Sequence, residues 1–98
     1  MDSKTLANTA ISGAEQPAEL SDTERSLWLA KAGHWHEAHD LCQTLPDPEG
    51  SWIHAWLHRQ EGDYSNACYW YSHAGRPAAP EDASLDEEWT EIARALLD

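Results

Sequence analysis

The sequence predicts an all-α fold of about five short helices, and three observations lead there. β-branched residues are scarce and no segment alternates apolar and polar residues for long, so no strand competes. Apolar residues recur instead at three- and four-residue spacings, bracketed by Ser, Asp, Gly and Pro where helices begin and end. Connections of only a few residues then make sequential helices pack as antiparallel hairpins.

Residues 1–20 mix small polar residues with isolated apolar ones and show no sustained period, which reads as a flexible N-terminal segment with at most a transient turn over 5–11. A single helical domain over 21–98 follows. Ser21-Asp22-Thr23-Glu24 has the spacing of a capping box and starts a helix over 22–32 that Gly33 ends. Trp35, Ala38, Cys42 and Leu45 share one face of a second helix over 35–45, and Pro46 stops it. Asp47-Pro48 reads as an N-cap followed by a first-turn proline, which opens a third helix over 48–61. Gly62 closes that helix and Asp63 caps the fourth, over 64–74, whose face is Tyr64, Ala67, Cys68, Tyr71 and Ala74. After a Pro-Ala-rich link, Ser84 and Glu87 form a second capping box for a packing helix over 85–97. Its stripe is Leu85, Trp89, Ile92, Ala93 and Leu96, with Asp86, Glu87, Glu88 and Glu91 on the wet side.

Composition narrows function mainly by exclusion. Eighteen Asp and Glu against six Lys and Arg leave a formal charge of −12, which repels nucleic-acid backbones and anionic membranes. Partners are therefore expected to be proteins or peptides that are neutral or basic. Between His34 and Gly75 the only fixed positive charge is Arg59. No run has the length of a membrane span and no secretory signal opens the chain, so a cytoplasmic location is the expectation. Cys42 and Cys68 are too few for a disulfide framework and fall on apolar helix positions, which suits buried, reduced thiols.

Laying Gly33 on Gly62 brings Trp35 onto Tyr64 and Ala38 onto Ala67, a Gly-x-aromatic-x-x-Ala unit repeated at an offset of 29 residues. The glycine turns the chain, the aromatic fills the elbow and the alanine lets two helices approach. The pattern resembles the turn and second helix of a tetratricopeptide repeat, most clearly in 61–67 with Tyr71 beyond, although that family repeats every 34 residues. The resemblance implies two tetratricopeptide-like helix hairpins plus the C-terminal packing helix, and a protein-binding role. The stretches His36-Glu37-Ala38-His39-Asp40 and His58-Arg59-Gln60-Glu61-Gly62 are also similar to a bacterial family of unknown function with a His-Glu-Ala-His-Glu-like helix. That likeness implies a helical bundle with a metal or acid–base site.

Two kinds of site follow from the residues. Phe is absent while Trp occurs six times and Tyr three, and such rings suit half-buried binding surfaces. The main expectation is a non-enzymatic protein–protein interaction module whose surface is Trp52, Trp56, Tyr69, Trp70, Tyr71 and His73. The same rings beside many carboxylates would also suit a cage for a small cation.

The alternative is a site for Zn or another transition metal, structural or hydrolytic. All six His lie between 34 and 73; His36 and His39 are spaced i,i+3, and His54 and His58 i,i+4. Counted from Asp47, His39 is eight residues back and His54 seven forward, while His36 and His58 are each eleven away. A fold-back at the proline bend would set the four imidazoles in a rectangle, with Glu37, Asp40 or Glu61 as carboxylate ligand or orienter. The spacing is not His-Glu-x-x-His, so a zincin is excluded. His39 and Cys42 have the separation of an imidazole–thiol pair, but Cys42 sits on the apolar face, where a thiol is inert. No catalytic residue is assigned, and phosphate loops and paired acid–base carboxylates are absent.

Overall fold

The computed structural model describes all 98 residues and contains six α-helices and no strand. They are α1 (Ser3–Ile11), α2 (Asp22–Ala32), α3 (Trp35–Cys42), α4 (Glu49–Glu61), α5 (Tyr64–Ala74) and α6 (Leu85–Leu97). Helix α4 is the centre of the molecule. Every residue from Gly50 to Arg59 is buried, because α2, α3, α5 and α6 all pack around it.

Helix α1 lies in the segment expected to be flexible. Asp2 caps it by accepting from the Thr5 amide at 2.8 Å, and Leu6 and Ala10 enter the core against α2 and α6. The Asp98 carboxylate accepts from the Ser3 amide at 2.9 Å and from the Ser3 hydroxyl at 2.8 Å, so the two ends of the chain are joined. Tertiary contacts hold this helix; with only two buried apolar residues it carries too short a stripe to show as a period.

The capping box at Ser21 and Glu24 closes in both directions, and Gly33 ends α2 with φ +90°. There the Gly33 amide donates to the Ala30 carbonyl and the His34 amide to the Leu29 carbonyl. Twenty-nine residues on, Gly62 has the same φ of +90°, and the corresponding bonds run from Gly62 to Arg59 and from Asp63 to His58. Only glycine takes this left-handed conformation without strain, which is why the repeat shows most clearly at its turns.

The α3–α4 joint differs from expectation. Helix α3 ends at Cys42, three residues short of 45, as the Thr44 and Leu45 amides reach back only to the Leu41 and Cys42 carbonyls. Pro46 restricts Leu45 to non-helical conformations, so the last turn tightens. Asp47 does not cap α4: Pro48 holds the N-cap position, and the Asp47 carboxylate instead accepts from the Ser51 hydroxyl. Gly50 makes the joint close, since a Cβ there would lie 2.6 Å from the Cys42 carbonyl oxygen. At the start of α6 only half of the second box forms, with Ser84 accepting from the Glu87 amide.

In a core without Phe, indole N–H groups tie the layers together. Trp28 donates to the Thr9 hydroxyl, Trp35 to the Leu57 carbonyl, Trp56 to Leu85 and Trp89 to Leu27, at 2.8 to 3.0 Å. A buried ion pair adds to them. Glu88, expected on the wet side of α6, is 7% exposed and bonds both Arg59 and the Tyr71 hydroxyl. Burial, then the adjoining Glu88 carboxylate, pushes the Tyr71 hydroxyl upward, so it remains a donor. Arg59 also donates to the Ala83 and Glu81 carbonyls in the link before α6.

Candidate metal centre

Three of the four histidines in the expected rectangle converge. His39 comes from α3, and His54 and His58 stand one turn apart on α4; one nitrogen from each lies within 4.8 Å of the others. The His54 and His58 rings stack at 4.8 Å between centroids, while the His39 ring stands edge-on to them at 4.5 and 5.5 Å. Tetrahedral Zn with Zn–N bonds of about 2.05 Å needs nitrogens about 3.4 Å apart, so side-chain rotations of about 1.4 Å or less close the triangle. The cluster is therefore capable of coordinating a transition metal ion.

His36 and Glu37 are not part of it. His36 is exposed with its ring edge-on to Trp35, and Glu37 faces solvent, 3.9 Å from the His34 imidazole. At 100° per residue, His39 lies about 100° around α3 from the inward-facing Ala38, whereas His36 lies about 160° away on the opposite side. Spacing of i,i+3 placed both on a common sector, but the inward face set by Trp35, Ala38 and Cys42 admits only one.

Two of the three rings have a hydrogen-bonding neighbour. His58 Nδ1 is 2.6 Å from Glu61 Oε1, which favours Nδ1–H donating to the carboxylate and leaves Nε2 free for a metal. The Gln43 side-chain amide nitrogen lies 3.0 Å from His39 Nδ1, one turn further along, and as a donor makes Nδ1 the acceptor; a metal on Nε2 requires that amide to turn and present its oxygen to Nδ1–H. Two indoles enclose the group: Trp35 stacks on His39 at 4.8 Å, and Trp70 from α5 stacks on His54 at 3.9 Å. His54 is only 5% exposed, and no protein group hydrogen-bonds its ring nitrogens.

Electrostatics prepare neutral imidazoles. Burial, then the neighbouring His39 and His58, lowers His54 to about 4. Burial, then His58, also lowers His39, against the opposing pull of Asp40 and Glu61. Lone pairs at neutral pH are what a metal requires. His39 and Cys42 do not form a nucleophilic pair, because the thiol donates to the His39 backbone carbonyl at 3.2 Å rather than to the ring. Burial, then Asp40, pushes the Cys42 thiol up to about 12. Both cysteines are free.

The expected aromatic surface is divided by the fold. Trp52, Trp56 and Tyr71 are core residues, each 4% exposed or less, because α4 is central and Tyr71 reaches inward from α5 to Glu88 on α6. Tyr69, Trp70 and His73 form the outer remainder, with Tyr69 exposed and its hydroxyl 3.1 Å from His73 Nε2. A cation cage does not assemble, since Trp56 binds the Leu85 carbonyl and the Arg76 guanidinium already covers the Trp52 ring at 4.0 Å. No helix is long and apolar enough to cross a membrane. Sequence reasoning missed the Arg59–Glu88–Tyr71 group; the signal was Arg59 itself, the one fixed cation in a long acidic stretch.

Comparisons with protein families, curated proteins and solved structures find no match to this chain.

Proposed function

We propose that this protein binds a transition metal ion through His39, His54 and His58, with Glu61 orienting His58. The observation that carries this reading is the convergence of three imidazole nitrogens from two helices within 4.8 Å in a nearly buried setting. All-nitrogen ligation without a thiolate suits Zn, Ni or Cu in the divalent state. The ion would join α3 to α4 across the proline bend. The scaffold we take to be a pair of tetratricopeptide-like hairpins, α2–α3 and α4–α5, supported by their matching glycine turns. A protein-docking role retains only Tyr69, Trp70 and His73 of its expected surface, few beside the roughly 20 to 30 residues a side of a standard interface.

Elemental analysis of protein purified without a His tag tests the reading. Near-stoichiometric metal is expected, lost in His39→Ala and His58→Ala, and bound about 10- to 100-fold more weakly in Glu61→Gln. His39→Ala removes a partly exposed ring, so circular dichroism should show its fold intact. A wild-type protein that neither carries nor takes up metal near one equivalent ends the proposal.

A further inference from the structure

The chain's own side chains leave a tetrahedral ion at this centre one ligand short. Glu61 engages His58 Nδ1, on the other side of that ring from Nε2, and the Cys42 thiol is turned to a backbone carbonyl. Asp40 is mostly exposed and stands 3.9 Å from His39 Nδ1, and His73 hydrogen-bonds Tyr69. No fourth His, Cys, Asp or Glu joins the three imidazoles.

We propose that the fourth position is filled from solvent by water and exchanges with small neutral nitrogen or oxygen donors; this rests on the metal-binding reading. A cavity of about 280 Å³ between the end of α3, the start of α4 and α5 borders the site. His54 and Trp70 form part of its wall, as does Gln43, whose amide holds His39. His54 is the one of the three that lines this cavity, and its imidazole, nearly buried and without a hydrogen-bond partner, links the site to solvent. Three protein ligands and one exchangeable position are the arrangement of metal sites that act on ligands, whereas purely structural sites are closed by four protein donors. Charge sets the ligand class. An ion held by three neutral imidazoles brings a charge of about +2. Glu61 beside His58, Asp40 beside His39 and Asp47 on the cavity wall stand around it, however, with no Lys or Arg lining the cavity, and the chain's net −12 adds to their opposition to an anion.

The test uses Co(II) in the full-length chain, whose visible absorption reports the donors around the ion. Imidazole should shift the spectrum in a saturable one-site titration while a chromogenic chelator detects no released cobalt. Azide should bind about tenfold more weakly at low salt, with the gap narrowing as salt screens the protein's field. His73→Ala tests whether His73, on the cavity wall, itself supplies the fourth donor, and an unchanged starting spectrum is expected. If Co(II) fails to bind, the metal reading itself falls. If it binds but ignores imidazole, is stripped by it, prefers azide, or changes spectrum in His73→Ala, metal binding stands and the exchangeable neutral-donor position is refuted.

Discussion

Replacing Glu88 with Ala removes the only carboxylate bonded to a guanidinium that is itself almost fully buried. Arg59 and Glu88 are 8% and 7% exposed, so neither is solvated when its partner is lost. Arg59 would keep the Ala83 and Glu81 carbonyls, which satisfy hydrogen bonds but do not balance its charge, and its Nε already lacks a partner. The Tyr71 hydroxyl would lose its acceptor as well. Breaking one side of a buried pair costs about 3–5 kcal/mol, a large share of the roughly 5–15 kcal/mol that holds a domain of this size. Urea unfolding followed by circular dichroism should show the unfolding free energy fall by that amount, through a lower midpoint with little change in slope. The triple variant Arg59→Met, Glu88→Leu, Tyr71→Phe removes all three polar groups together and should return to within about 1–2 kcal/mol of wild type. A loss below about 1 kcal/mol in Glu88→Ala would mean that the pair behaves as a solvated surface contact, and the reasoning from burial would be wrong.

Two further outcomes follow from the α3–α4 joint. Gly50→Ala should destabilise by about 1–3 kcal/mol in the same assay, because the new Cβ meets backbone oxygens of Cys42 and Leu45 at 2.6 and 2.9 Å, neither of which can swing aside. Metal affinity should fall with it as α3 is pushed from α4; a gain of the ~1 kcal/mol usual for Gly→Ala in a helix would contradict the close approach. In metal-free protein, His54 titrates near 4 when folded against 6.5 ordinarily. Between those values the unfolded chain binds the proton and the folded one does not. This contribution to stability is therefore complete above about pH 6.5 and declines as pH falls towards 4, by up to about 1.4 kcal/mol per unit. The lowered His39 adds in the same direction. Protonating carboxylates relieves the chain's negative charge and works oppositely, so the difference between wild type and His54→Phe isolates the histidine; parallel stability curves for the two between pH 7.5 and 4.5 would refute it.

Helix positions were legible because capping and turn residues act locally. Ser21, Gly33, Gly62, Asp63, Gly75 and Ser84 each govern the backbone within a few residues, and the structure places helix ends beside all of them. The residues of the candidate centre were legible only as helix faces. Spacing put His54 and His58 together on α4, but about 60° of rotation around α3 separates His39, which turns towards α4, from His36, which turns to water. Which histidines meet depends on how two helices pack.

By itself, the sequence determined the all-α class, the repeated glycine turns and the acidic character, all of which rest on local backbone preference or on composition. Only the tertiary structure decided that α4 is central, that Trp52, Trp56 and Tyr71 are core, that Glu88 is buried against Arg59, and that α1 is docked by Leu6 and the Ser3–Asp98 bonds. Each of these depends on contacts between residues distant in the chain, which periodicity marks only in part: Tyr71 lies on the apolar stripe of its helix, whereas nothing in the pattern of α6 marks Glu88 as buried.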